Sequence, residues 1–194
     1  MSEFNIFFSI GFGHLLEVGA ADHILFIVVL VATYRPRQWR EVALLATAFT
    51  VGHSITLALS TLDILSVPSE IAEILIALSI VVTAWWNLRR PPEFRKNRKS
   101  LYWIAAGFGL VHGIGYAGQI KPMLMPDMSL WKPLLAFNIG LEVAQLVVVS
   151  VLLLIGWIII DLIGISLRKW TLVLSFFAGT YATILLIIRI LDLF

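Results

Sequence analysis

The sequence has no cysteine and few charged residues. The absence of cysteine excludes disulfide bonds, thiolate metal sites and cysteine nucleophiles. Charged residues make up only 13% of the 194 residues, whereas a soluble domain has about 25%. So little charge cannot cover a water-exposed surface, and low charge combined with high hydrophobicity also excludes a disordered chain.

Hydrophobic residues make up 60% of the chain, and the mean hydropathy is +0.96. A helical span needs about 20 apolar residues, so the chain has room for six or seven spans and little else. We therefore expect an all-α, polytopic membrane helix bundle that forms a single transmembrane domain over residues 1–194. The acidic start at Glu3 lacks the basic region of a signal peptide. A net charge of +2 gives no reason to expect nucleic acid as a partner, and a homo-oligomer is left open.

Seven apolar segments predict the helices. Their approximate bounds are 4–17, 20–34, 39–62, 68–88, 101–119, 130–160 and 170–193. The first two segments together would measure roughly 45 Å as a helix, which is long for one span and short for two. We expect two short helices that are broken at Gly19, with six spans plus a short N-terminal helix as the alternative.

The basic residues predict the orientation in the membrane. Three loops hold 11 of the 14 basic residues: Arg35, Arg37 and Arg40; Arg89, Arg90, Arg95, Lys96, Arg98 and Lys99; Arg168 and Lys169. Because cytoplasmic loops carry an excess of Lys and Arg, we expect these loops in the cytoplasm and the C-terminus outside. The expected location is a bacterial-type inner (plasma) membrane. The opposite face has only Lys121, Lys132 and Arg189.

All four histidines lie inside or at the ends of apolar segments, where an ionisable side chain is costly. With two carboxylates they form the predicted metal ligands: His14, Asp22, His23, His53, His112 and Glu142. Counted from the predicted segment ends, these residues fall in the outer half of the membrane. Imidazole and carboxylate without thiolate suit a divalent transition metal such as Zn or Ni. The alternative is a set of polar contacts between helices.

Further polar residues are predicted to support the site: Glu17, Ser54, Glu73, Asn138 and Gln145. For Glu17 and Glu73, reaching to the membrane surface is an equal alternative.

The helical spacing of polar and small residues predicts which faces point into the bundle. The polar stripes are Thr50, His53, Thr56 and Ser60 on the third segment, and Asn138, Glu142 and Gln145 on the sixth. On the fifth segment a row of small residues recurs every four positions: Ala105, Gly109, Gly113 and Ala117. Such a row lets another helix approach closely, and it turns the neighbouring His112 into the bundle.

Three methionines cluster in one outer loop, at Met123, Met125 and Met128. Thioethers are soft ligands that suit Cu(I). The alternative is that they are apolar residues dipping into the membrane interface.

Five blocks of the sequence resemble the HupE/UreJ family of hydrogenase and urease accessory proteins, which are regarded as nickel/cobalt permeases. The blocks are residues 22–26, 49–57, 73–79, 108–117 and 137–145. His14 precedes Asp22 by eight positions, a longer spacing than the family has. The resemblance implies the fold and, less directly, transport of nickel or cobalt.

We expect a permease more than an enzyme. An ion entering from outside would bind His23, His53, His112 and Glu142, with Asp22 in support. The membrane potential favours inward movement of a 2+ ion by roughly 4.6 kcal/mol per 100 mV, and the sequence contains no P-loop. Two alternatives are an intramembrane metal-dependent hydrolase that uses the same residues and a non-catalytic subunit of a membrane complex. The sequence leaves nickel, cobalt or zinc open.

Overall fold

The computed structural model describes residues 2–17, 21–90, 99–124 and 129–193. These residues form α-helices and no strand, so the predicted all-α class is confirmed. The helices are α1 Glu3–His14, α2 Ala21–Val31, α3 Trp39–Thr61, α4 Ser69–Arg89, α5 Lys99–Ile120, α6 Trp131–Gly156 and α7 Leu167–Leu191. Each of the seven predicted segments overlaps one of them, with ends that differ by a few residues.

The two N-terminal helices are separate and short. Helix α1 has 12 residues and α2 has 11, so they measure only about 18 Å and 17 Å. Both are shorter than the apolar core of a bilayer, which is about 30 Å thick. Helix α1 ends at His14 and α2 begins at Ala21. The predicted break at Gly19 lies outside the described residues, and the number of spans remains a prediction.

Within the described part of the chain, four helical stretches are long and apolar enough to cross a membrane: Pro36–Thr61, Ser69–Arg89, Trp131–Leu162 and Leu167–Leu191. The third of these extends α6 by a segment of π-helix, Trp157–Leu162. Large apolar side chains cover the outside of the described bundle; Phe176 and Phe177 on α7 are 59% and 68% exposed. An apolar exterior of this kind is expected of a protein whose solvent is lipid.

Glycines allow α3 and α5 to pack closely against each other. A Cβ atom at Gly109 would overlap the carbonyl oxygen of Phe49, and one at Gly113 would overlap that of His53. From the other side, a Cβ at Gly52 would overlap the carbonyl oxygen of Ala106. The predicted row of small residues on α5 is therefore an interhelical contact. This contact holds His53 and His112 at neighbouring levels.

Helices α1 and α6 pack through glycines in the same way. A Cβ at Gly11 would overlap the carbonyl oxygen of Phe137, and one at Gly140 would overlap that of Phe8. The contact brings the end of α1 beside Phe137, whose ring centroid lies 5.8 Å from that of His14. The length and register of α1 thus determine where His14 lies.

Polar contacts hold α2, α4 and α7 together at the end remote from Asp22. The Asn87 Nδ2 group donates to the carbonyl oxygen of Val29 at 2.7 Å, and Thr171 Oγ1 donates to that of Ala32 at 2.7 Å. The Arg168 guanidinium donates to the carbonyl oxygens of Asn87 and Leu88, at 2.7 Å and 2.6 Å. Since the last carbonyls of a helix have no partner within it, Arg168 satisfies the C-terminus of α4.

Tryptophans with basic neighbours mark the helix ends. Three arginines lie 4.3–5.2 Å from tryptophan ring centroids: Arg40 over Trp39, Arg89 over Trp85 and Arg90 over Trp86. Tryptophan is enriched where the membrane meets water, and the guanidinium is attracted to the ring face. These arginines belong to the loops that are predicted to be cytoplasmic. The side of the membrane on which they lie remains a prediction.

Candidate metal site

Four helices bring the four histidines together. His14 ends α1, His23 lies in the first turn of α2, and His53 and His112 lie within α3 and α5. The His23 ring is central: its centroid lies 4.8 Å from that of His14, 4.7 Å from that of His112 and 6.4 Å from that of His53. All four residues are buried. The predicted convergence of the histidines is thus seen in the structure.

Most of the ring nitrogens in this group have no hydrogen-bond partner in the described part of the chain. The buried atoms without a partner are both nitrogens of His14, both nitrogens of His53, and Nε2 of His23 and of His112. Leaving a polar atom buried and unpaired costs about 1–3 kcal/mol. Six such atoms grouped in one place indicate a site that is built for a ligand.

Hydrogen bonds fix the orientation of two of the imidazoles. His23 Nδ1 lies 2.9 Å from a carboxylate oxygen of Asp22, and His112 Nδ1 lies 2.9 Å from the carbonyl oxygen of Phe108. Both oxygens accept, so each Nδ1 carries the proton and donates it. The Nε2 lone pairs of His23 and His112 are therefore available to a metal ion, in the arrangement common for metal-binding histidines.

The spacing of the nitrogens is close to what a metal ion needs. His14, His23 and His53 each offer a nitrogen, and these atoms lie within 4.8 Å of one another. An ion with tetrahedral bonds of about 2.0–2.1 Å requires nitrogens about 3.4 Å apart, so the rings must close by no more than about 1.4 Å. Rotamer adjustments can supply a movement of this size.

A cavity of about 120 Å³ lies on one side of the histidines. Its buried floor includes His14, Asp22, His23 and His112, and polar residues of its wall include Glu17, Glu73, Gln119 and Arg189. The side chain of Glu73 is half exposed. The cavity is therefore a polar approach to the histidines, and the predicted supporting residues Glu17 and Glu73 both line it.

Three phenylalanines close the other side of the histidines. Phe26, Phe49 and Phe108 each lie one helical turn from a histidine on the same helix. The Phe26 ring centroid lies 5.3 Å from that of Phe49 and 4.9 Å from that of Phe108, and Phe49 lies 5.0 Å from His112. None of the three phenylalanines lines the cavity, so their rings form an apolar layer on the side of the histidines away from it.

Two residues of the site were missed by the sequence analysis. Arg189 lies with Nη2 3.7 Å from Asp22 Oδ2 and Nη1 3.5 Å from Glu73 Oε2. The Tyr116 ring centroid lies 3.9 Å from that of His14. The signal that could have found Arg189 is its interruption of the last apolar run, where a basic residue is as unusual as a carboxylate.

Glu142 is not brought into the histidine group. Its Oε1 atom accepts a hydrogen bond of 2.6 Å from Thr47 Oγ1, and Gln145 accepts one of 3.0 Å from Thr50. Thr47 precedes His53 by six residues, which is about 9 Å along α3. The role of Glu142 as a metal ligand remains a prediction.

The other predicted supporting residues are closer to His53. Asn138 follows Phe137, whose ring centroid lies 6.1 Å from that of His53. The Asn138 Nδ2 group donates to the carbonyl oxygen of Leu134, and its Oδ1 is buried with no hydrogen-bond partner in the described residues. Ser54 Oγ donates to the carbonyl oxygen of Thr50 within its own helix. Met123 is 47% exposed, whereas Met125 and Met128 lie outside the described residues.

The fold and the site define a polytopic helical membrane protein with a buried histidine group suited to a metal ion. The sequence profile of one family, described as HupE / UreJ protein, matches residues 1–189. The chain belongs to the HupE/UreJ family, and the resemblance found in the five sequence blocks is confirmed. Neither a curated protein nor a solved structure matches it.

Proposed function

We propose that this protein is a membrane permease for a divalent transition metal ion of the nickel and cobalt type. The observation that carries the proposal is the group of six ring nitrogens, on four buried histidines, that have no partner among the residues the structure describes. Neutral imidazoles bind nickel and zinc well and bind alkali and alkaline-earth ions poorly. Membership of the HupE/UreJ family supports a metal-related role. The resemblance to hydrogenase and urease accessory proteins favours nickel and cobalt over zinc.

Access from one side supports transport. The cavity gives an ion a polar route to the histidines, and the rings of Phe26, Phe49 and Phe108 close the route beyond them. A permease that alternates between two open states needs one such closed side at a time. Opening the second side requires the phenylalanines to separate, and the membrane potential supplies roughly 4.6 kcal/mol per 100 mV for a 2+ ion.

The position of Glu142 supports a role later on the same route. Its hydrogen bond with Thr47 and the Thr50–Gln145 hydrogen bond form a polar contact between α3 and α6. Counted back along α3 from His53, Thr50 lies next to Phe49 and Thr47 lies beyond it. We therefore assign Glu142 to the ion after it has left the histidines.

Uptake of radiolabelled nickel into proteoliposomes tests this function. The His53→Ala/His112→Ala double variant should reduce uptake to the level of empty liposomes, because it removes two of the four imidazoles. Ser150→Ala is the control, since this exposed hydroxyl bonds only within its own helix. Undiminished uptake by the double variant would contradict the site assignment.

The hydrolase alternative uses the same histidines and makes a different prediction. A hydrolase would cleave a substrate in detergent solution, where no gradient exists, and would leave nickel outside sealed vesicles. Nickel accumulation that depends on the imposed membrane potential supports the permease.

A further inference from the structure

A positive charge lies in a cavity that we propose to receive a cation. The Arg189 guanidinium reaches from α7 to the carboxylates of Asp22 on α2 and Glu73 on α4, and it lines the same cavity as His23 and His112. Its side chain is only 17% exposed. Its positive charge repels a metal ion in the same cavity, so its presence in a metal site calls for an explanation.

Arg189 is held loosely. Its distances to Asp22 and Glu73 are 3.7 Å and 3.5 Å, and Nη1 is buried without a hydrogen-bond partner in the described ranges. A firmly bound guanidinium usually makes paired hydrogen bonds to a carboxylate at about 2.7–2.9 Å. Arg189 therefore neutralises the two carboxylates by charge and can be displaced from them.

A displaceable cation discriminates between entering ions by their charge. A monovalent ion that takes the place of the guanidinium replaces one positive charge with another and gains little Coulomb energy. A divalent ion brings twice the charge to the same carboxylates, so its attraction to them is about twice as large at equal distance. An internal cation of this kind disfavours monovalent ions and need not contact the divalent ion that binds.

We propose that Arg189 is a tethered monovalent cation that makes the cavity selective for divalent over monovalent ions. The proposal rests on the proposed metal-binding function. When the histidines are empty, the guanidinium neutralises Asp22 and Glu73. When a divalent ion enters, the guanidinium moves away from the carboxylates. Potassium and sodium ions do not displace it.

A purely structural role for Arg189 predicts the opposite effect of its removal. If Arg189 only joins α7 to α2 and α4, its loss loosens the cavity and weakens metal binding. If it is a competing cation, its loss strengthens binding and opens the cavity to monovalent ions.

Calorimetric titration of the purified full chain with nickel chloride separates these roles. The titration is performed in potassium chloride and in choline chloride at equal ionic strength, since choline is too bulky to replace the guanidinium. The variants are Arg189→Gln, Arg189→Lys and Lys132→Gln. Lys132 is the matched control, because its replacement removes one positive charge from an exposed site on α6 outside this cavity.

In choline chloride, Arg189→Gln should bind nickel about tenfold or more tightly than the wild type. In potassium chloride that gain should shrink severalfold, because potassium ions occupy the vacated position. The wild type, Arg189→Lys and Lys132→Gln should each show the same affinity in both salts. If Arg189→Gln does not fold, Arg189→Met gives the same comparison and keeps the apolar stem of the side chain.

If Arg189→Gln binds nickel in choline chloride no more tightly than the wild type does, the selectivity proposal is overturned and the proposed function is not. A gain that is the same in both salts also overturns it. Absence of nickel binding by the wild type overturns the proposed function and this proposal with it.

Discussion

At the Asp22 side chain, one carboxylate oxygen accepts hydrogen bonds from the backbone N–H of His23 at 2.8 Å and from its Nδ1–H at 2.9 Å. The other oxygen faces Arg189. Asp22 therefore holds the His23 ring with Nε2 directed away from the carboxylate. It also makes the imidazole a stronger donor to a metal, as carboxylates next to metal-binding histidines do.

Asp22→Asn should weaken nickel binding about 10–100-fold, since an amide holds the imidazole without increasing its basicity. Titration of the purified chain with nickel measures the effect. The matched control is Asp63→Asn, which removes a carboxylate from an exposed pair with Lys121 and should leave the affinity unchanged. Equal affinities for both variants would show that Asp22 does not act through His23.

Single residues show where sequence reasoning succeeded and where it stopped. The four histidines could be predicted as a group because ionisable side chains in apolar segments have few other uses. Glu142 was grouped with them by counting residues from the segment ends, a method that carries an error of one or two helical turns. Arg189 was assigned to the outer surface because the rotation of α7 about its axis cannot be read from an apolar run.

The helix pair α3 and α5 depends on backbone-to-backbone contact. The four-residue spacing of small residues on α5 predicted a contact face, and the structure confirms it at Gly109 and Gly113. The spacing could not name α3 as the neighbour, because a small-residue row fits any helix that approaches it. The segment bounds were predictable within a few residues, since they depend on local composition alone.

Gly109→Ala should separate α3 from α5, because the new methyl group overlaps the Phe49 carbonyl oxygen. We expect a loss of about 1–3 kcal/mol of stability, typical of overpacking, together with weaker nickel binding. Thermal unfolding in detergent and nickel titration measure the two effects.

Gly107→Ala is the matched control on the same helix, since a methyl group at this position would meet no neighbouring atom within 4 Å. It should leave nickel binding unchanged and slightly stabilise α5, because alanine favours helix more than glycine does. If the two alanine variants have the same stability and nickel affinity, close helix packing is not the reason for the row of small residues on α5.

For the whole molecule, the predicted orientation is the property that most needs a measurement. The basic loops predict that the residues before α3 are cytoplasmic and that the turn between α3 and α4 is outside. This orientation places the cavity toward the outside, because Glu73 lies in the second turn of α4.

The lack of native cysteine makes this orientation directly testable. Arg37→Cys and Ser66→Cys each introduce a single exposed thiol, one before α3 and one before α4. A membrane-impermeant maleimide should label Ser66→Cys on intact cells and Arg37→Cys only after permeabilisation. The wild type is the unlabelled control, and the reversed pattern would invert the orientation.

The histidines come from three groups of helices, which also contact one another: α1 with α6, α3 with α5, and α2 held to α4 and α7. An ion bound by rings from all three groups ties them together, so its coordination number depends on how the groups are arranged. If the group that contains α1 moves away, the ion loses His14 and keeps His53 and His112. Movement of whole helices can therefore release a bound ion one ligand at a time, with no chemical change in any side chain.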